Sequence, residues 1–128
     1  MPVNIKVIHA ADLVRANPEG PASLELAEQL LSNIAAAGAR LQDFEVLVDT
    51  RRITVRLTTP ELWQLAEKLS HYGRKLGNKI AILTTPDALE HHHFFAVTAQ
   101  NKGFAVRAFT SYENAVEWLL TEDDSYAH

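Results

Sequence analysis

The chain contains no cysteine, which excludes disulfide bonds and thiolate chemistry. The absence of cysteine fits a reducing compartment, and we expect a cytoplasmic protein. No apolar run approaches the ~18 residues that a membrane span needs, so no transmembrane segment is predicted. The N-terminus also lacks a basic segment followed by an apolar stretch, so no signal peptide is expected.

Other signatures of catalysis and nucleic-acid binding are missing as well. The five glycines are isolated singles, which excludes phosphate-binding loops and dinucleotide fingerprints, and no Gly-x-Ser-x-Gly elbow is present. Twelve Lys and Arg stand against sixteen Asp and Glu, a net charge of -4, whereas a nucleic-acid footprint needs clustered positive charge. We therefore expect no enzyme, no cofactor and no nucleic-acid partner.

What is present is a globular composition, with 47% hydrophobic and 22% charged residues. This predicts one folded domain over residues 1–128, with residues 120–128 as a frayed polar tail.

One phrase occurs twice, as Leu57-Thr58-Thr59-Pro60-Glu61 and as Leu83-Thr84-Thr85-Pro86-Asp87. Each copy ends an apolar extended run and begins a helix, with Thr59 and Thr85 as the expected capping residues and proline in the first turn. A third junction predicts a capping box from Thr110 to Glu113. Strand, hydroxyl cap and helix in repeated order indicate a β/α winding with a mostly parallel sheet.

The apolar periodicity predicts an α/β fold with a small four-stranded sheet flanked by helices. The breaker cluster at 17–21 and the alternating stretch at 53–57 are interpreted as connectors, although a short edge strand at 53–57 is the alternative. The expected strands are 3–9, 44–49, 79–84 and 104–109, the last three mutually parallel, and the expected helices are 22–37, 60–76, 87–101 and 111–120. The predicted core residues are Val46, Val48, Leu69, Ile80, Ile82, Val106 and Leu119.

Three segments carry a resemblance to a known family: 45–49 (EVLVD), 79–83 (KIAIL), and 103–109 (GFAVRAF) leading into 113–119 (ENAVEWL). From about Asp43 to Leu120 the chain resembles the STAS-like proteins, whose type member is the sporulation anti-sigma-factor antagonist, and in particular their uncharacterised bacterial subgroup. The resemblance implies a superhelical βα winding of the kind that CRAL-TRIO lipid-binding domains share.

The resemblance also directs attention to the start of the helix after the central strand. In the antagonists an Asp-Ser-Ser-Gly sequence there carries the phosphorylated serine. The corresponding residues here are Arg56-Leu57-Thr58-Thr59-Pro60, which lack the acidic residue and the glycine. We therefore predict that Thr58 and Thr59 are not an efficient phosphorylation site.

Two kinds of binding site are candidates. Ligands of parallel α/β sheets bind at the carboxyl ends of the strands, where hydroxyls, free amides and arginine suit a small anion. Those candidates are Asp49, Thr50, Arg51, Thr58, Thr59 and Thr85. The alternative interpretation is that the hydroxyls only cap helices and that the arginines are solvated. Aromatic residues are candidates for an interface or for a pocket that holds a lipid-like molecule: Trp63, Phe94 and Phe95, with Trp118 as a further candidate for the pocket.

The consecutive residues His91, His92 and His93 do not have the i, i+4 spacing of metal-binding pairs on a helix, so no metal site is predicted. The leading hypothesis is a non-enzymatic domain of STAS-like type that binds a protein partner or its own copy, as a homodimer, or senses a ligand. The alternative is a binder of a small anion or of an apolar, lipid-like molecule.

Overall fold

The computed structural model describes residues 3–8, for which only the backbone is considered, and residues 13–41 and 43–121. Six strands and four helices occur in these ranges. The strands are β1 (Val3–Ile8), β2 (Leu13–Pro21), β3 (Glu45–Asp49), β4 (Arg52–Val55), β5 (Lys79–Leu83) and β6 (Ala105–Phe109). The helices are α1 (Leu24–Gly38), α2 (Thr59–Tyr72), α3 (Leu89–Asn101) and α4 (Tyr112–Leu120), with 3-10 turns at Gly73–Leu76 and Pro86–Ala88.

The strands pair in the order β1-β2-β3-β5-β6, and β4 pairs with the far end of β2. β1 and β2 are antiparallel, whereas all the other pairs are parallel. The predicted α/β fold is confirmed, including the parallel arrangement of β3, β5 and β6. The predicted count of four strands is wrong, because β2 and β4 occupy segments that the sequence analysis assigned to connectors.

The position of Pro18 explains how β2 accommodates the breaker cluster at 17–21. The β2–β3 ladder ends at Ala16 and the β2–β4 ladder begins at Glu19, so Pro18 lies between them. A residue without an N–H is tolerated in a strand where the ladder is interrupted. Gly20 has a φ of 85° beside a register shift, a conformation that glycine adopts without steric cost.

The sheet is covered on both faces, as the continuous apolar run in β3 predicts. Val46 and Val48 pack into a large cluster with residues of α1, α2 and α3. Leu47, between them, packs on the other face against Trp118 and Leu119 of α4. All seven predicted core residues are at most 8% exposed, which confirms the assignment of helix and strand faces.

The helix caps differ from the prediction by one residue. Thr58, not Thr59, is the N-cap of α2, and it forms a capping box with Glu61. Ser111, not Thr110, caps α4 by accepting a hydrogen bond from the Asn114 amide. Thr85 occupies the N-cap position of the second 3-10 turn without a capping hydrogen bond. Leu120, the first residue of the predicted tail, is the last residue of α4, and residues 122–128 lie outside the described part of the chain.

Candidate functional site

Asp49 is the centre of a charged cluster at the carboxyl end of β3. Arg51 Nε donates to Asp49 Oδ1 at 3.0 Å, Arg51 Nη2 donates to Oδ2 at 2.9 Å, and the Arg51 amide donates to Oδ1 at 3.1 Å. Arg15 of β2 lies 3.5 Å from the same carboxylate. The short spacing from Asp49 to Arg51 lets one turn supply both a side-chain fork and a backbone donor.

Opposing effects act on the Asp49 carboxylate. Partial burial raises its pKa, but the hydrogen bonds from the Arg51 side chain and amide, with the charges of Arg51 and Arg15, outweigh that effect. The pKa of Asp49 is therefore below its usual value. The same hydrogen bond raises the pKa of the Arg51 guanidinium.

A polar cleft of about 630 Å³ lies beside this cluster, and we call it the arginine cleft. Its lining residues are Arg15, Asn17, Pro18, Glu19, Asp49, Arg51 and Arg52. Two of the predicted anion ligands, Asp49 and Arg51, therefore share a concave site. Asp49 and Arg51 pair with each other. The cleft is lined by two acids, Asp49 and Glu19, and by three arginines, Arg15, Arg51 and Arg52.

The predicted threonines do not join this cleft. The Thr50 hydroxyl donates to the Leu83 carbonyl at 2.9 Å, and its amide donates to the same oxygen at 2.8 Å. Thr58 caps α2, Thr59 is exposed in its first turn, and Thr85 forms a hydrogen bond with the Asp87 carboxylate. The structure thus divides the six predicted ligand residues among separate roles.

The second concave site is an apolar cavity of about 120 Å³ between the sheet and helices α1, α2 and α3. Of the aromatic residues predicted for an apolar pocket, Phe95 lines this cavity. Its carbon-rich wall comprises Pro18, Ala22, Ala27, Leu30, Leu31, Ile34, Val48, Ile53, Leu57, Leu62, Leu65, Leu69, Ile80, Ile82 and Phe95. Its polar lining residues are Thr50, Arg56, His91 and His92.

His92 contributes a buried imidazole to the wall of the apolar cavity. Its Nδ1 lies 2.9 Å from the Thr84 hydroxyl oxygen and 3.2 Å from the Ala88 carbonyl oxygen. A proton on Nδ1 satisfies both contacts, since a carbonyl can only accept. Burial, followed by the charges of His91 and Arg56, lowers the pKa of His92 to about 4, so the ring is neutral at pH 7.

Arg56 and Asp87 join the two helix-starting segments beside the apolar cavity. Arg56 Nη2 lies 2.6 Å from Asp87 Oδ2, and both side chains are substantially exposed, at 45% and 73%. Arg56 directly precedes the first copy of the repeated phrase, and Asp87 is the last residue of the second copy. Their pairing could not be inferred from that repeat, since it depends on how the two junctions are placed at the sheet edge.

The interface candidates separate into exposed and buried residues. Trp63 on α2 is 52% exposed and Phe94 on α3 is 37% exposed, whereas Phe95 is 7% exposed and packs in the core. Val97, which the sequence analysis did not name, is 38% exposed on α3. Lys102 lies over the Trp63 ring at 5.5 Å from its centroid and also contacts Glu67.

Within residues 13–41 and 43–121, no group of three or more metal-ligating side chains converges on one point. In the described part of the chain, no helix combines the length and apolar character required to span a bilayer.

Comparison with known proteins identifies the fold. No protein-family model matches the chain, and no curated protein is similar to it. Among solved structures, the chain is similar to an uncharacterised protein from the DUF3478 family of Shewanella loihica PV-4, which has a SpoIIAA-like fold. The TM-score is 0.62 at 17% sequence identity, over 92% of each chain. The protein therefore has the SpoIIAA-like, or STAS-like, fold that its sequence resembles.

Proposed function

We propose that this protein is a non-enzymatic ligand-sensing domain of STAS-like type, and that its ligand is a small, largely apolar molecule bound in the apolar cavity. The observation that carries the proposal is the cavity itself, which lies between three helices and the sheet and is lined by apolar residues except at four positions. Small-molecule sites are typically concave, mostly apolar and provided with a few polar groups that set orientation.

The size of the cavity limits the ligand. An apolar protein cavity of ~150 Å³ stays dry and binds benzene, so about 120 Å³ accommodates a group near the size of one ring or a short branched chain. Filling an apolar void restores dispersion contacts to its walls, which is the source of affinity in such a site.

The most suggestive catalytic pair is a poor catalyst, which supports a non-enzymatic role. Thr84 and His92 are within hydrogen-bond distance, as a nucleophile and base would be. However, Thr84 is 2% exposed, and a His92 ring that donates from Nδ1 cannot accept the hydroxyl proton there. Its low pKa also makes it a weak base at pH 7.

Thermal unfolding in the presence of an apolar probe tests the proposal. We expect benzene or indole to raise the melting temperature, because a ligand that binds only the native state stabilises it by about 2.7 kcal/mol at 100 times its Kd. Ala27→Leu should abolish this shift by filling the cavity. Ala36→Leu, on an exposed position of the same helix, should retain it.

An unchanged melting temperature at saturating concentrations of both probes would contradict the proposal, as would an equal shift in both variants. Native mass spectrometry of protein purified from its host provides an independent measurement, since a copurified molecule and the subunit count appear in one spectrum.

A second candidate function is binding of a protein partner, including a second copy of the chain, through the outer surface of α2 and α3. The observation that favours it is the exposure of Trp63, Phe94 and Val97 on two helices that pack against each other. Aromatic residues are enriched at interface centres.

We also propose a cytoplasmic location, supported by the absence of cysteine, and no nucleic-acid partner, supported by the net charge of -4.

A further inference from the structure

Arg56 is the one permanently charged side chain among the described residues that line the apolar cavity. It follows β4 and lies two residues before the N-cap of α2, on a segment that leaves the sheet edge. Nearly half of its side chain is exposed, so one residue contacts both the cavity and solvent. A molecule whose apolar part binds in the cavity can therefore carry a polar group that interacts with Arg56.

The present partner of Arg56 is easily replaced. Asp87 is almost three-quarters exposed, and ion pairs between exposed side chains contribute little to stability. The pKa of Asp87 is lowered first by a hydrogen bond with the Thr85 side chain and then by a backbone hydrogen bond, before the effect of Arg56. Asp87 therefore keeps other hydrogen-bond partners if Arg56 turns to a different anion.

The positive charge of Arg56 also acts on the cavity wall. It contributes to the lowered pKa of both His91 and His92, each of which lines the cavity. Burial is the larger cause for both rings, and His92, with a pKa of about 4, is neutral at pH 7 and does not compete with Arg56 for an anion. None of the described residues lining the cavity is an acid, so Asp87, which pairs with Arg56 from outside the lining, is the anion that a ligand carboxylate would replace.

We propose that the ligand of the cavity is a small monocarboxylic acid with an aryl or short branched alkyl group. The apolar group occupies the cavity, and the carboxylate replaces Asp87 as the partner of Arg56, whose planar guanidinium fork matches a carboxylate in geometry. This inference rests on the proposed function and specifies the chemistry of the ligand at the same site.

Calorimetric titration with phenylacetate and with 2-phenylethanol tests this assignment, because the two probes share a ring and differ in charge. We expect phenylacetate to bind about tenfold more tightly, the difference that ~1.4 kcal/mol provides. Arg56→Gln should reduce that ratio to near one while 2-phenylethanol binds as before. Arg52→Gln removes a nearby exposed arginine that does not line the cavity, and it should leave the ratio unchanged.

Asp87→Asn supplies a second readout, because it removes the competing carboxylate and should tighten phenylacetate binding without affecting the alcohol. If the alcohol binds as tightly as the acid, or if Arg56→Gln preserves the preference for the acid, the carboxylate assignment is overturned and the apolar site remains. If neither probe binds, the proposed function and this inference both fail.

Discussion

Thr58 and Thr59 are adjacent hydroxyl residues at the start of α2, and only the first is engaged as a cap. The Thr58 hydroxyl accepts from the Glu61 amide at 3.3 Å, and the Glu61 carboxylate accepts from the Thr58 amide at 2.8 Å. We predict that Thr58→Ala lowers the free energy of unfolding by about 1 kcal/mol. Thr59→Ala should cost much less, and urea denaturation of the two variants measures the difference. Equal losses would contradict the assignment of the cap.

This assignment was available from the sequence. The spacing Thr58-x-x-Glu61 is the capping-box pattern, whereas the prediction of Thr59 relied on placing Pro60 at the first helical position. Proline is also tolerated one position later, since the amides of the first turn have no acceptor within the helix. The Thr58 hydroxyl is engaged in the cap, and that Thr58 and Thr59 are a poor phosphorylation site stays a prediction.

His92 gives the protein a specific dependence of stability on pH. Burial, His91 and Arg56 lower its folded-state pKa to about 4, below the ~6.5 expected of the unfolded chain. The unfolded state therefore binds a proton first, and we predict a loss of stability as the pH falls from about 6.5 to about 4, amounting to about 3 kcal/mol at most. Urea denaturation across this range measures it.

The contribution of His92 is isolated by comparison with two variants. His92→Gln removes the titrating ring and should flatten this part of the profile, whereas His93→Gln, at an exposed position on the same helix, should follow the wild-type curve. The pKa of Asp49 is also lowered, so Asp49 too costs stability as the pH falls, but it does so at lower pH than His92, and both variants retain it. Parallel profiles for the wild type and His92→Gln would contradict the prediction.

At the scale of elements, the missed strands show why composition misled. β2 contains two prolines and a glycine, which favour a turn, yet it pairs with three neighbours along its length. β4 is only four residues long and mostly exposed, so its alternation of apolar and polar residues carried little information. In both cases pairing with distant strands overrides local preference, and that pairing is not encoded in a short window of sequence.

Gly77, before β5, and Gly103, before β6, both have a positive φ and provide a testable contrast. Gly77 has a φ of 89°, and a Cβ there would lie 2.8 Å from the Phe44 carbonyl oxygen. Gly103 has a φ of 93°, but a Cβ there would meet no atom within 4 Å. Gly77→Ala and Gly103→Ala therefore share the conformational cost, and only the first adds a clash with backbone.

We predict that Gly77→Ala lowers the melting temperature clearly more than Gly103→Ala does, with differential scanning calorimetry as the measurement. The Asn78 amide, next along the chain, donates to the same Phe44 carbonyl at 2.8 Å, so the clash would also disturb a hydrogen bond. A larger loss for Gly103→Ala would show that the turn before β5 is not packed as described.

At the scale of the molecule, the fold was more predictable than the site. The three parallel strands and their helices follow from apolar periodicity and from the caps, which are local signals. The apolar cavity assembles residues from Pro18 to Phe95 that each resemble ordinary core residues. An unfilled space between elements depends on how they pack, and nothing in the sequence distinguishes a lining leucine from a core leucine.

Leu69 links packing to the cavity and provides a prediction about both. It is 1% exposed and lines the cavity, whereas Leu119 is equally buried on the opposite face of the sheet. We predict that Leu69→Ala and Leu119→Ala each cost roughly 2–5 kcal/mol in chemical denaturation. Only Leu69→Ala should also increase affinity for a probe larger than one ring, such as naphthalene. If Leu119→Ala increased the affinity instead, the binding site would lie on the face of the sheet opposite to the one proposed.

Self-association is the prediction that belongs to the whole molecule. Trp63, Phe94 and Val97 expose apolar surface on the packed pair α2 and α3, and two-fold dimers are the commonest closed assembly. We predict a mass near twice 14.3 kDa in sedimentation equilibrium at tens of micromolar protein. Trp63→Ser should shift the equilibrium to monomer, because aromatic anchors carry much of the energy of an interface. Val55→Ser, which alters a similarly exposed apolar residue on β4, should leave the dimer intact. A monomer in the wild type would eliminate this surface as a self-association site and leave the apolar cavity as the functional feature of the fold.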